Sequence, residues 1–111
     1  MRVTSSLWVG AYVRRCFAGG AMAAICRRGA EAAGAIYLKI NRLDGSFDLY
    51  GPAPQAMFDE ERPRDRRFEA LKTGVAEPEV DGLLDREQDF DPDIWVVEVE
   101  DRQGRAFLDD G

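Results

Sequence analysis

Three patterns along the chain predict an α+β domain, an antiparallel sheet of about four or five strands with two helices packed on one face. Apolar residues recur at helical spacing near the start of the chain. From Ile36 they alternate with period two, and that period returns, at its strongest, from Ile94 to Val99. The 111 residues, 45% hydrophobic and 32% charged, amount to one domain with enough apolar material for a single core. Residues 1–111 therefore read as one unit, without internal repeats.

Thr4, Ser5 and Ser6 offer N-cap oxygens, Gly19-Gly20 offer a stop, and between them Trp8, Val9, Tyr12, Val13 and Cys16 fall three and four apart. That is an amphipathic helix; a strand here would be apolar on both faces. Ala21–Arg28 is ambiguous, because its alanines favour helix while its length between Gly20 and Gly29 suits a strand. A meander from about Ala21 to Tyr50 makes strand the consistent reading. Ile36, Leu38 and Ile40 alternate with Tyr37, Lys39 and Asn41, the mark of a half-buried strand. Asp44-Gly45 signals a two-residue hairpin, with Phe47 and Leu49 continuing the same apolar face on the return strand.

From Gly51 the texture changes. Gly51, Pro52, Pro54 and Pro63 punctuate a charged stretch ending at Arg66-Arg67, which predicts a long mobile loop over about 51–67. Phe68 and Leu71 read as a short strand before Gly74. Pro78 fits the first turn of a second helix, with Glu77, Glu79 and Asp81 near its positive end. Val80, Leu83, Leu84 and Phe90 give that helix one apolar stripe, and Asp91-Pro92 stops it. In the last strand Trp95, Val97 and Val99 share a face; Ile94 and Val96 begin the other, which turns acidic at Glu98 and Glu100. Gln103-Gly104 is a turn before Phe107.

The absence of histidine excludes Ser-His-Asp and Cys-His nucleophile pairs and His-ligated zinc. Cys16 and Cys26 are not a CxxC pair; one disulfide is arithmetically possible, but their small, apolar neighbours favour buried reduced thiols. The apolar run from Leu7 to Val13, broken by Arg14-Arg15, is too short for a signal peptide, and no segment approaches a membrane span. The expectation is a cytoplasmic protein without a membrane partner.

Net charge of −6 and a pI near 4.6 argue against nucleic acid as a partner. Residues 1–50 hold seven Lys/Arg against three Asp/Glu, and residues 51–111 hold eight against eighteen, so the halves differ in sign. Interleaving of the halves in one fold would largely neutralise that difference.

Four constellations merit weighing. Asp89, Asp91, Asp93 and Glu100 have the 1, 3, 5, 12 spacing of a calcium loop, yet Ile94 stands where the loop needs glycine and a strand begins where its exiting helix should. Arg14-Arg15 and Arg27-Arg28, joined by Lys39 and Arg42, would make an anion or RNA site if they met; otherwise they are helix-end charge and intramolecular ion partners. Asp48, Glu98 and Glu100 are nominal acid/base carboxylates, and Ser5, Ser6 and Ser46 have neither a histidine base nor a GxSxG turn. Met57 and Phe58, embedded in charge, either dock a partner or fold back on their own domain. The balance leans against an enzyme, and no catalytic residue, metal ligand or cofactor is assigned. It favours a non-catalytic protein-interaction module, binding an unknown protein partner or itself through the Gly51–Arg67 loop and the acidic segment Glu87–Asp93. An anion or RNA site on the arginines is the alternative.

Specific runs carry a resemblance: Leu7-Trp8-Val9 with Tyr12-Val13-Arg14-Arg15, Arg27-Arg28-Gly29, Ala33-Gly34-Ala35-Ile36 and Asn41-Arg42-Leu43-Asp44-Gly45. They continue with Leu49-Tyr50-Gly51-Pro52-Ala53-Pro54-Gln55, Asp65-Arg66-Arg67-Phe68, and Phe90-Asp91-Pro92-Asp93 leading into Trp95-Val96-Val97-Glu98. Together, over nearly the whole chain, they resemble a small bacterial family called domain of unknown function 1491. The resemblance implies a compact bacterial cytoplasmic domain that stands alone, and it brings no activity, cofactor or catalytic residue.

Overall fold

The computed structural model describes residues 3–54 and 66–108, which form two helices and five strands. Helix α1 (Ser5–Ala18) starts where Thr4 accepts the Leu7 amide and ends at Gly19, whose amide reaches the Arg15 and Cys16 carbonyls. It buries Val9, Tyr12 and Cys16, the predicted stripe. Gly20, at φ +91°, turns the chain into β1 (Met22–Arg27). Strands β2 (Ile36–Asn41), β3 (Phe47–Pro52) and β4 (Phe68–Val75) follow, then α2 (Glu77–Phe90) and β5 (Trp95–Glu100). Proline in the first turn and Glu77 and Glu79 at the positive end set the start of α2.

The strand order is β1-β5-β2-β3-β4. The expected meander is therefore interrupted, because β5 inserts between β1 and β2, and the expected antiparallel sheet is mixed. β5 runs parallel to β2, while the other three pairings are antiparallel. A parallel neighbour requires a crossover, which α2 supplies by carrying the chain from β4 back to the start of β5. The centre suits β2 and β5: Ile36–Ile40 and Trp95–Val97 are buried residue after residue, so both faces of these strands need cover.

Two apolar clusters lie on opposite faces of the sheet. Val9, Tyr12 and Cys16 of α1 pack on Ile36, Leu38, Ile40, Trp95, Val97 and Val99. Val80 and Leu84 of α2 pack with Tyr37, Phe47, Leu49, Ile94 and Val96. Placing both helices on one face is thereby corrected, and the cause is one residue in the β2–β3 hairpin. The Arg42 amide bonds the Ser46 carbonyl, which leaves Leu43, Asp44 and Gly45 in the loop instead of Asp44-Gly45 alone. Leu43 and Gly45 adopt positive φ (64° and 92°), the Asn41 carboxamide oxygen accepts the Leu43 amide, and the Asp44 carboxylate accepts the Ser46 amide and hydroxyl. The extra residue pairs Lys39 with Leu49 and Asn41 with Phe47, so Phe47 and Leu49 face away from Ile36, Leu38 and Ile40.

Two smaller expectations also change. Phe90 leaves the α2 stripe and stands 87% exposed. Cys16 is buried beneath α1 as expected, but Cys26 is exposed on β1, and both are free thiols. After β5 the chain folds back over α1. Asp101 accepts from the Arg105 amide and guanidinium, Tyr12 donates to the Ala106 carbonyl at 2.5 Å, and Phe107 packs with the first cluster. No helix among the described residues is long and apolar enough to cross a membrane.

Candidate interaction surface

The predicted arginine cluster does not assemble into one site. Arg15 lies at the C-terminal end of α1 and donates to the Phe107 carbonyl at 3.0 Å; Arg14 beside it is exposed. The Ala21 amide, bonded to Cys16, anchors the start of β1 at that end. Five steps of about 3.3 Å along the strand carry Arg27 roughly 16 Å away. There Arg27 donates to the Pro92 carbonyl and Arg28 stacks over the Trp95 ring at 5.3 Å. Arg42 is held by Asp48 in a two-pronged pair, with bonds of 2.7 and 3.1 Å. Asp48, a nominal acid/base carboxylate, is thus buried as the partner of Arg42 and of the Gly74 amide. Asp89 and Asp93 flank the end of α2 while Glu100 closes the far end of β5, so the calcium-loop spacing does not fold into a loop. Met57 and Phe58 lie outside the described residues, as does most of the stretch predicted as a loop over 51–67, whose first two residues, Gly51 and Pro52, instead end β3.

A different surface stands out at the sheet's edges. At one edge, β4 carries Glu69 and Lys72, contains Gly74, and shifts register twice against β3. Charge and irregularity of that kind guard an edge against further pairing. At the other edge, β1 reads Met-Ala-Ala-Ile-Cys-Arg, with no charged residue before Arg27 and a register shift only after Ile25. Its outer backbone groups have no strand partner among the described residues. Met22 is 59% exposed, and Ala24, Ile25 and Cys26 are exposed as well. The sequence concealed this edge because alternation identifies strands but not their order.

Alongside β1 no described residue covers the α2 face of the sheet: α2 packs over β3, β4 and β2, and Met22, Ala24 and Cys26 stay exposed. Register sets its floor: Ala24 pairs with Glu98, which pairs with Lys39, and Met22 pairs with Glu100, which pairs with Asn41. Lys39 is buried and bridges to Glu77 at 2.7 Å and Asp81 at 2.9 Å on the first turns of α2. Burial by itself lowers its pKa, but the hydrogen bonds to Asp81 and Glu77 outweigh that and hold it above the ordinary lysine value. Glu98 accepts from the Asn41 carboxamide at 3.3 Å and lies 3.9 Å from the Cys26 sulfur. Burial, then the Glu98 charge, raises the Cys26 thiol, which disfavours the reactive thiolate. Glu98 and Glu100 have no ion pair among the described residues. Chemically, the arrangement offers backbone donors and acceptors in a row beside an acidic shelf.

A family model described as "Protein of unknown function (DUF1491)" matches residues 3–109. The chain is 49% identical to protein Atu0922 from A. tumefaciens, whose solution structure superposes with a TM-score of 0.80 over 90% of this chain and 86% of that one. The crystal structure of a DUF1491 family protein from Caulobacter crescentus CB15 is 36% identical, with a TM-score of 0.80 over 96% of this chain and 94% of that one. An NMR structure of a DUF1491 family protein from the same organism is 37% identical, with a TM-score of 0.79 over 97% and 94%. No curated protein matches the chain.

Proposed function

Since the chain belongs to the DUF1491 family, described as proteins of unknown function, we propose from its geometry that it is a non-catalytic protein-interaction module that docks an extended segment of a partner along β1. The observation carrying this reading is the contrast between the two sheet edges, one charged and irregular, the other uncharged from Met22 to Cys26 and regular as far as Ile25. Main-chain hydrogen bonds supply affinity in strand addition, and alternate side chains supply selectivity. The acidic segment Glu87–Asp93 adds a second contact region, where Phe90 protrudes among Asp89, Asp91 and Asp93.

The test is capture from bacterial lysate with the tagged protein and its Ile25→Lys variant, with and without nuclease. Ile25 is partly exposed and faces away from the acidic shelf, so lysine there blocks the edge at a cost of about 1 kcal/mol. The expected result is a nuclease-resistant partner recovered by the original chain and lost by the variant. Equal recovery by both would overturn the reading, and a partner released by nuclease would restore the arginines as the binding surface.

A further inference from the structure

We infer that the segment docked on β1 is basic, presenting lysine or arginine to the α2 face of the sheet at alternate positions. This rests on the strand-docking reading above and names the partner chemistry. On that face β1 contributes Met22 and Ala24 before its irregularity, Cys26 within it and Arg27, held by the Pro92 carbonyl, beyond it, and the next strand inward contributes Glu98 and Glu100. A strand added outside β1 would lie two strand spacings, about 10 Å, from β5. Between them stand the Met22, Ala24 and Cys26 side chains, none of them branched or charged. The long stems of lysine and arginine span that gap, crossing an apolar strip before their charge reaches the carboxylates.

The charges on the shelf are unequally satisfied. Glu77 and Asp81 share the buried Lys39 ammonium. Glu98 has the Asn41 carboxamide, the Cys26 thiol and a longer-range attraction to the Lys39 ammonium, and Glu100 has no ion pair among the described residues. The Lys39 ammonium on this face is already bonded to Glu77 and Asp81, which leaves Glu100, and in part Glu98, for a cation arriving from outside. A second copy of the chain fits less well, because its β1 carries no charge from Met22 to Cys26, its Arg27 is engaged with its own Pro92 carbonyl, and it brings a net charge of −6. A neutral strand would gain the backbone bonds and leave the two carboxylates unmatched.

The test is backbone amide NMR titration of the whole chain with a short capped peptide alternating lysine with threonine, and with its counterpart carrying glutamine in place of lysine. The expected result is displacement of the Met22–Arg27 amide signals by both peptides, with the lysine peptide bound about tenfold tighter, the scale of two exposed ion pairs. Glu98→Gln with Glu100→Gln should erase that tenfold difference, as should the surface change Glu100→Lys alone. Added salt should shrink it in the original chain. Equal binding of both peptides at β1 would overturn the basic partner while leaving strand docking intact. No response at β1 to either peptide would overturn both readings. Signals at β1 that move with protein concentration alone would make a second copy the occupant and overturn the inference.

Discussion

Lys39 shows how a single residue ties the sheet to a helix. Its stem crosses the face of β2, its ammonium sits 5.2 Å from the Phe47 ring centre, and its two carboxylate partners are about half exposed. Removing the charge leaves Glu77 and Asp81 with water available, so the stem carries much of the effect. Lys39→Ala should cost about 2–3 kcal/mol in urea unfolding and Lys39→Met no more than about 1. Equal losses would assign the effect to the ion pairs instead. The raised lysine pKa means this contribution is present below the unfolded pKa, near 10.4, and is lost as pH climbs through the higher folded value. Asp101 works in the opposite sense. Hydrogen bonds from Arg105, opposed by burial, hold its carboxyl below the usual range. Its contribution is present above about pH 3.9 and is lost as pH falls through the lower folded value. Asp101→Asn should therefore destabilise the protein at neutral pH and flatten the acid limb of a stability-against-pH curve.

At the scale of elements, the β2–β3 hairpin decides the layering. One residue in its loop assigns Phe47 and Leu49 to the second face and so gives α2 a surface to cover. Deleting Leu43 should restore a two-residue turn and rotate those side chains toward the first face. Losing the burial of Phe47 and Leu49 removes about 1.5–3 kcal/mol each, a large share of a small domain's stability. The expected readout is a marked drop in thermal midpoint; an unchanged midpoint would contradict the register argument. Both helices and strands β2 to β5 were legible from spacing, caps and stops, because those signals are local; β1 is ambiguous between helix and strand, and its strand reading rests on a meander that the fold interrupts. Register and strand order were not. The hairpin's extra residue depends on Leu43 accepting positive φ beside Asn41 and Asp44, a position where sequence expects glycine or asparagine. The place of β5 depends on burial across 50 and more residues of chain.

For the whole molecule, the two charge halves do interleave: β5 from the acidic half lies between β1 and β2, and Lys39 pairs with α2. What survives is an uneven perimeter, with a charged, irregular edge at β4, an apolar edge at β1 and an acidic shelf beside it. The arginines, the most visible feature of the sequence, are divided between the two ends of the sheet. The exposed edge depends on a strand order that no local pattern encodes. The most direct measurement is amide hydrogen exchange on the captured complex against the free chain. Strand docking predicts slowed exchange concentrated at alternate residues of Met22–Arg27, with β4 unchanged. Equal exchange at β1 in the two states would contradict it.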